Sequence, residues 1–523
     1  MKKAAEKGFI SQAANSQRHG GRVRVVPLVL AVIFVIGLAL LATLWPFRQE
    51  KIVQSLQETF AGKISVGRYR HTIFPHPGGI VEDVVLQRGA GSTDKIPLAT
   101  VKRLVVRANY PDLLLRPGYI SQVVLEGLRV HVPLEGTSNS PTTEDSGGSR
   151  RRVGEVLAND AVLEIVRRKG EPLVFDIHTL KLNSVREGQP FDYRVAMRIP
   201  LPPGEVHSIG KFGPWNSQEI SQTAVSGKYW YENADLGVFS GIAGKLSSEG
   251  EFGGNLGQLQ ASGKVDIPDF EVRRTRHAVP VKSQYQAVVD ATNGDVQLQQ
   301  VDSTVLQTRV LTHGSVAKKA GEHGKTTSLD LTVRDGKIQN VLRLFAKARR
   351  PALNGVTNFS AHVVVPPGEV PFLKKIRLSG DFGIDSGEFT KPDTQEDIVK
   401  LSETGAGKKP KDGDESDPND VVSALAGHVE LRGGTATFTN FSFSVPDAKA
   451  TMHGTYNLLN EKIDLHGTLR TTAKFSNTTS GVKSVLLKPF DAIFKRKHHE
   501  GAKVPVQLTG TYDDPHAGLE IIK

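Results

Sequence analysis

Few residues in this chain have both the type and the spacing that a chemical site needs. Gly324-Lys325-Thr326 resembles the end of a phosphate-binding loop, but Lys319 stands where the first glycine of that loop should be. His71 and His76 bracket four residues, and His498-His499 are adjacent. Neither pair has the i, i+4 spacing with which two histidines on a helix hold zinc. We therefore expect loop or surface positions for these residues, not a nucleotide or metal site.

The sequence also lacks cysteine and the usual motif of a serine nucleophile. It contains 0 Cys, which excludes a disulfide framework, a thiol nucleophile and a Cys-ligated metal. It contains no G-x-S-x-G motif. Asp513-Asp514 precede Pro515, where acids commonly sit in a turn. Since no segment brings an acid, a base and a nucleophile together, we expect a protein that is not an enzyme and that uses no metal or cofactor.

The charge of the chain has two interpretations. The net charge is +11, from 66 Lys+Arg against 55 Asp+Glu. Part of the excess lies in residues 1–24 and part in Lys495-Arg496-Lys497. It indicates either a mildly basic solvated surface or attraction to anionic lipid headgroups. There is no basic stripe with interleaved aromatic residues, so nucleic acid is not an expected partner.

Residues 25–47 form one apolar segment without any charge, and this segment determines where the rest of the chain lies. About 20 apolar residues cross a bilayer as a helix. We therefore expect a transmembrane anchor that includes Val25, Phe34, Leu41 and Trp45. The alternative is a cleaved signal peptide, whose apolar core is shorter and ends in an A-x-A-like site. Trp45 fits the interfacial belt of an uncleaved anchor instead.

The residues before the apolar segment predict its orientation. Residues 1–24 contain one acid, Glu6, against the basic residues Lys2, Lys3, Lys7, Arg18, Arg22 and Arg24. Positive charge holds a short N-terminal flank in the cytoplasm. We therefore expect a single-pass protein of a bacterial inner membrane, with a cytoplasmic N-terminus and a periplasmic body.

Beyond the anchor the pattern predicts mainly β-structure. A short amphipathic helix covers 48–61, and apolar residues then recur with a period of two. Helices are also predicted at 336–350, before Pro351, and at 484–497. The residues 201–222 predict a polar loop rich in Pro, Gly and Ser. The expected units are a membrane-proximal β unit (48–135), a polar linker (136–152), a central β region (153–335), a helix with a β repeat (336–390), an acidic disordered insertion (391–420) and a C-terminal β region (421–523).

The C-terminal strands show how the sheet is expected to be built. Between residues 448 and 458 the even positions are mostly apolar and the odd positions polar, which predicts one apolar face. A recurring pattern, apolar-x-Gly-x-apolar, puts a glycine on that face. The candidate groove residues on it are Met452, Gly454, Tyr456, Leu465, Gly467, Leu469, Leu508, Gly510 and Tyr512.

These glycines have two compatible explanations. A glycine lowers the stability of a strand and has no side chain to pack. The chain nevertheless has 52 glycines among its 523 residues, more than the average share of about 7%. They either let the sheet bend or leave room on an apolar face for acyl chains. About 25 strands at about 4.8 Å each would make a sheet of roughly 120 Å, and open sheets beyond about 10 strands curl or split. We therefore expect a long, curled, largely antiparallel sheet with a few short helices, shaped as a trough or half-open barrel.

The order of several motifs resembles the AsmA-like family. The motifs are Phe74-Pro75-His76-Pro77-Gly78-Gly79-Ile80-Val81-Glu82-Asp83-Val84 with the strands of 104–132, then the helix of 336–350 with Leu353-Asn-Gly355, Pro366-Pro367-Gly368 and Gly380-Asp-Phe382, and finally 427–469 with Val504 to Tyr512 and Asp514-Pro515. The resemblance covers most of the chain. The acidic insertion departs from the family pattern.

The resemblance implies an inner-membrane protein that projects into the periplasm, is not an enzyme, and serves outer-membrane biogenesis and phospholipid traffic. In design such proteins are similar to chorein-type bridge-like lipid transfer proteins. The predicted function is therefore to bind or conduct phospholipid along an apolar β groove, with other envelope assembly proteins as further partners. The alternative is a scaffold for outer-membrane assembly that carries no lipid. An interior filled by the protein's own side chains favours the scaffold, whereas a continuous apolar cleft favours the carrier.

Overall fold

The fold is known from a computed structural model. It describes Glu50 and the residues 63–87, 97, 99–116, 118–133, 152–166, 172–186, 188–214, 216, 219–319, 324–391, 423–445, 448–471 and 503–519. The predicted tail, anchor, polar linker, acidic insertion and helix of 484–497 lie outside these residues, except for Arg152 and Lys391 at their ends. The chain divides into two compact units, 1–56 and 57–523, and the second contains all described residues but Glu50. Among the described residues, no helix is long and apolar enough to cross a membrane.

The N-terminal strands form the start of one continuous sheet. They are β1 (Lys63–Ser65), β2 (Arg68–Thr72), β3 (Gly78–Gln87), β4 (Ala99–Arg107), β5 (Tyr119–Glu126) and β6 (Arg129–Pro133). The helix α1 (Tyr110–Leu115) connects β4 to β5. β1 and β2 lie end to end along β3, and β5 and β6 lie end to end along β4.

Longer strands continue the sheet. The central ones are β7 (Arg152–Val166), β8 (Leu173–Arg186), β9 (Phe191–Pro200), β10 (Pro203–Phe212), β11 (Ala224–Asp235), β12 (Ile242–Ala243), β13 (Lys245–Asn255), β14 (Gln258–Val272), β15 (Ala278–Asp290) and β16 (Asp295–Val305). Single turns of 3-10 helix occur at Ile220–Gln222 and Leu236–Val238.

The C-terminal part adds ten further strands and two helices among the described residues. The strands are β17 (Thr308–Lys318), β18 (Lys325–Lys337), β19 (Leu353–Val365), β20 (Arg377–Phe389), β21 (Ser423–Arg432), β22 (Thr435–Val445), β23 (Ala448–Asn457), β24 (Lys462–Thr471), β25 (Lys503–Thr511) and β26 (Pro515–Leu519). The helices are α2 (Ile338–Phe345) and α3 (Phe372–Lys375).

The described strands form one sheet of 26 strands. From β7 onward, successive strands pair as antiparallel neighbours, with β12 and β13 end to end along β14. Among the described strands, the parallel pairs are those that β5 and β6 form with β7. The prediction of a mainly β, largely antiparallel sheet is confirmed. The predicted helix of 336–350 forms as the shorter α2.

One sequence prediction is wrong. The stretch 201–222 was expected to be a polar loop, but β10 occupies Pro203–Phe212 and pairs with β9 and β11 along its length. Pro203 is the first residue of the strand, where a missing N–H is tolerated. Val206 and Ser208 are buried on one face, so the segment has the period of two of a strand although its composition is polar.

In the C-terminal half the sheet curls back on itself around α2. The turn after β14 reaches the turn after β23, where Arg274 Nε donates to Leu458 O at 3.0 Å. Ile338 and Leu342 of α2 pack against a buried cluster that contains Leu353 of β19 and Leu469 of β24. The interior of this half is therefore filled by the protein's own side chains.

Candidate functional site

The apolar residues of the sheet share one face that crosses the strands without a break. Directly paired residues of neighbouring strands point to the same side. We define the apolar row by these paired residues: Val81, Leu104, Leu125, Ala158, Leu180, Val195, Ser208, Tyr229, Gly250, Gly263, Tyr285, Val301, Thr312, Leu331, Ala361, Gly380, Val429, Phe438, Gly454, Leu465 and Leu508. Three of the predicted groove residues, Gly454, Leu465 and Leu508, fall on this row.

The cover over the apolar row changes along the sheet. Val81 is 1% exposed near the N-terminal end, and Leu465 is 7% exposed near the C-terminal end. Between them, in what we call the central stretch (β8 to β16), Ser208 is buried, whereas Val195, Tyr229 and Val301 are partly exposed, as are Leu331 and Leu508 nearer the C-terminus. Among the described elements, β8 to β11 and β13 pack chiefly against neighbouring strands. A sheet normally buries its apolar face against a second layer, and these strands have no such layer of described elements in extensive contact with them.

Tyrosine rings lie over the glycines of the central stretch. A Cβ on Gly227 would lie 2.5 Å from Tyr193 Oη, and a Cβ on Gly250 would lie 2.9 Å from Tyr229 Cε1. A Cβ on Gly263 would lie 3.0 Å from Tyr229 Oη. The space at these glycines is therefore taken by backbone atoms of the neighbouring strands together with tyrosine rings from one or two strands away, and an aromatic ring over a glycine is a known way to stabilise it in a sheet.

The tyrosine hydroxyls of the central stretch are hydrogen-bonded, which keeps this face uncharged. Tyr193 Oη lies 3.1 Å from Ser208 Oγ, and Tyr229 Oη lies 2.9 Å from Ser248 Oγ. Tyr229 and Tyr285 share a further hydroxyl hydrogen bond. Burial raises the pKa of Tyr193 and Tyr285 above the ordinary value. Both phenols therefore remain neutral at physiological pH, and the face presents rings and aliphatic groups rather than charge.

The predicted groove residues lie on one face, where Leu465 and Leu469 are buried by the chain itself and the others are partly exposed. Leu469 is 4% exposed and belongs to the cluster beneath α2. Tyr456 and Tyr512 stack with ring centroids 6.4 Å apart, and Tyr512 Oη accepts a hydrogen bond from Ala352 N at 2.7 Å. Met452 packs against the same cluster as Leu469. A lipid path at these residues stays a prediction, and in this structure their neighbours are protein atoms.

The C-terminal glycines on the apolar face mark close approach and bending. A Cβ on Gly467 would lie 2.8 Å from Met452 Cα. Gly454 and Gly510 have φ values of 143° and 106°, which other residues rarely adopt. The positive φ values support bending at Gly454 and Gly510, whereas close approach of the adjacent strand accounts for Gly467 and leaves no open space for a ligand there.

The polar face carries two copies of an Asp–His–Ser arrangement that the sequence did not reveal. In each, a histidine Nδ1 lies 2.8 Å from an aspartate oxygen, and its Nε2 lies 3.2 Å from a serine Oγ on the adjacent strand. The two sets are Ser328, Asp330 and His362, and Ser379, Asp381 and His428. The Ser-x-Asp spacing was visible in the sequence, but the partner histidine depends on strand register.

In these two sets Asp, His and Ser are hydrogen-bonded in the order found in the catalytic triad of a serine hydrolase. The other features of such an active site do not accompany them among the described residues. Ser328 and Ser379 lie within strands that are paired on both sides, so the backbone N–H groups around them serve the sheet. A hydrolase also needs two free donors aimed at the developing oxyanion. The simplest role of both sets is cross-strand hydrogen bonding on an exposed face. The expectation of no catalysis stays a prediction.

The other chemical candidates of the sequence are placed as follows. Lys325 begins β18 and lies 3.0 Å from Asp295 Oδ1, and no helix follows it as a phosphate-binding loop requires. His71 lies in β2 and His76 in the turn after it, whereas His498-His499 lie outside the described residues. The described residues contain no cluster of His, Cys, Asp and Glu that could hold a metal.

An exposed apolar tip lies at one end of the N-terminal strands. The turn after β2 exposes Ile73 by 55% and Phe74 by 88%, and Leu115 at the end of α1 is 79% exposed. Tyr110 Oη donates to Ile73 O and joins the two segments. Arg116 follows directly, with its guanidinium 5.8 Å from the ring of Tyr119. The tip thus combines apolar side chains with an adjacent cation.

Comparison of the chain with protein-family models, with curated proteins and with solved structures finds no match in any of the three.

Proposed function

We propose that this protein binds lipid with the central stretch of its apolar face, as a membrane-anchored protein of the bacterial cell envelope. The observation that carries the proposal is that β8 to β11 and β13 pack chiefly against neighbouring strands among the described elements, while Val195, Tyr229 and Val301 of the apolar row are partly exposed. Acyl chains on this face would remove apolar area from water at about 25 cal/mol per Å². No covalent step is required.

Further support comes from the charge and from the exposed tip. The hydroxyls of the central stretch are internally hydrogen-bonded, so the face has no unsatisfied polar group that would oppose an acyl chain. Phe74 and Leu115 add an apolar surface that fits the boundary between headgroups and acyl chains. The sequence-based expectation of an anchor at 25–47 and a periplasmic body belongs to the same proposal.

The test uses neighbouring residues on opposite faces of β16. A photo-crosslinking amino acid at Val301, on the apolar row, is expected to capture lipid in cells, and one at the exposed Gln300 is not. Mass spectrometry of the adducts identifies the lipid class. Because the two positions are adjacent in sequence, their expression, anchoring and distance from the membrane are matched. Equal capture at both positions, or capture only at Gln300, would refute lipid binding on this face.

A second candidate, a scaffold for envelope assembly, has its own supporting observation. The C-terminal half is filled by its own side chains around α2, with Leu465 and Leu469 buried. A filled half of this kind offers surfaces to protein partners but no path for lipid. If the crosslinker at Val301 captures a protein reproducibly and no lipid, the scaffold replaces the lipid-binding proposal.

A further inference from the structure

The polar face of the central stretch forms an open cleft that the apolar row does not explain. Its volume is about 1180 Å³. Its floor follows a second set of directly paired residues on the side opposite the apolar row: Lys181, Arg194, Ile209, Lys228, Glu251, Ser262 and Gln286. Because the sheet backbone separates the two faces, a ligand in this cleft is distinct from one on the apolar row.

One end of the cleft, on β8 to β11, carries more basic than acidic side chains. The cleft is lined by the cations Lys181, Arg194, Lys211 and Lys228 against the acids Asp192 and Glu251. Lys181 is engaged, since its ammonium pairs with Glu155 outside the cleft lining. The side chains of Arg194, Lys211 and Lys228 make no hydrogen bond or ion pair with any described residue, although Asp192 is the cross-strand partner of Lys211 and Glu251 that of Lys228. Three free cations on adjacent strands are suited to an anionic group.

The other end, on β13 to β16, is rich in amides. Gln260, Gln286 and Gln299 line it together with Ser262. Each amide offers two N–H donors and a carbonyl acceptor, and the hydroxyl offers both functions. A neighbouring cleft of about 550 Å³ shares Lys228, Glu251, Ser262 and Gln286 with the first, and its further lining includes Trp230, Lys264, Glu249 and Asp302. Trp230 is partly exposed between its cross-strand partners His207 and Glu249, and the flat face of an indole suits a sugar ring.

The cleft floor has room at one glycine. A Cβ on Gly253 would meet only Ser226 Cβ, at 3.7 Å, within the contact range of normal packing. Gly253 pairs with Ser226 on one side and with Gln260 on the other, so it lies between the cationic end and the amide end. Unlike the glycines on the apolar face, this one borders open space.

We propose that this polar cleft binds an acidic oligosaccharide. Free cations at one end take its carboxylate or phosphate group, and amides, Ser262 and Trp230 take its hydroxyls and ring faces. A purely apolar ligand fits none of these groups. A peptide strand would need an open sheet edge for its backbone, whereas every strand that lines the cleft is paired on both sides.

The test is calorimetric titration of the full-length protein in detergent. The probes are tetragalacturonate and phosphopentamannose as acidic sugars, maltotetraose as a neutral sugar and hexaglutamate as an acidic peptide. At least one acidic sugar is expected to bind, more tightly than maltotetraose and hexaglutamate. Absence of heat with both acidic sugars at millimolar concentration overturns the proposal. Equal or tighter binding of hexaglutamate overturns it in favour of an acidic polypeptide partner.

Three variants and one control locate the binding. Arg194→Gln and Lys228→Gln are each expected to weaken acidic-sugar binding by about tenfold, the usual scale for a lost hydrogen bond to a charged group. Gly253→Leu is expected to abolish binding without changing the thermal midpoint, because its side chain enters open space. The control is Lys449→Gln, which removes the same charge from an exposed position on β23. An equal effect of Lys449→Gln, or full binding by Gly253→Leu, places the ligand elsewhere.

Discussion

Replacement of Leu469 by Ala separates a packed core from a ligand groove. Leu469 is 4% exposed and sits in the cluster covered by Ile338 and Leu342 of α2. Leu→Ala at such a site removes buried methyl groups and leaves a cavity, which costs about 2–5 kcal/mol. The matched change is Val301→Ala on the partly exposed central stretch. It removes two methyl groups worth about 0.8 kcal/mol each when fully buried, so less than about 1.6 kcal/mol in total at a partly exposed position.

The assay measures stability and bound lipid on the same preparations. Urea unfolding followed by circular dichroism gives the midpoint, and mass spectrometry of the purified protein gives the lipid content. We expect Leu469→Ala to lower the midpoint strongly while the lipid per folded protein stays constant. We expect Val301→Ala to lower the lipid content with little change in midpoint. A stable Leu469→Ala protein that has lost its lipid would refute the reasoning, because the C-terminal face would then be the ligand site.

Three further predictions concern other parts of the sheet. Gly467→Ala is expected to lower stability by about 1–3 kcal/mol, measured by urea unfolding, because its Cβ would crowd the adjacent strand. The hydrogen bond from Arg309 lowers the pKa of Asp302. The ion pair therefore stabilises the fold above the ordinary Asp pKa of about 3.9, and this stabilisation is lost as the pH falls through the lower pKa of the folded state. Unfolding midpoints measured from pH 5 downward should show the loss, and Arg309→Gln should make the loss smaller. Because the chain has 0 Cys, an environment-sensitive dye on Phe74→Cys reports one site, and we expect its emission to shift to the blue with phosphatidylglycerol vesicles while Gln300→Cys shows no shift.

The period of two predicted the strands because it is a local property. The alternation at residues 448–458 became β23, Ala448–Asn457, with its apolar face on the predicted side. Turn residues and the helical spacing before Pro351 likewise depend on near neighbours in sequence. The stretch 201–222 was misread because Pro, Gly and Ser outweighed the alternation of Val206 and Ser208. Composition was the weaker signal there.

What covers each face could not be predicted, because it depends on contacts between distant strands. Leu469 and Val301 both lie on apolar faces of their strands, yet only Leu469 is covered by α2. The ring of Tyr229 over Gly250 depends on strand register, as does the cross-strand pairing of His362 with Asp330. A single sequence gives the period of each strand but not the register between strands, so both the apolar row and the polar cleft emerged only from the structure.

The position of α2 limits what the apolar row can do. The helix is fixed at both ends: Asn340 Nδ2 donates to Thr308 Oγ1 at 3.1 Å, and Thr275 Oγ1 donates to Leu344 O at 3.2 Å. Lys347 N, just beyond it, donates to Glu461 at 3.1 Å. Movement of α2 would break these bonds and expose the cluster around Leu469, so a lipid held in the central stretch meets a closed end at α2. If the central stretch binds lipid as proposed, the lipid is therefore retained there. Passage of lipid beyond α2 would require the C-terminal half to open.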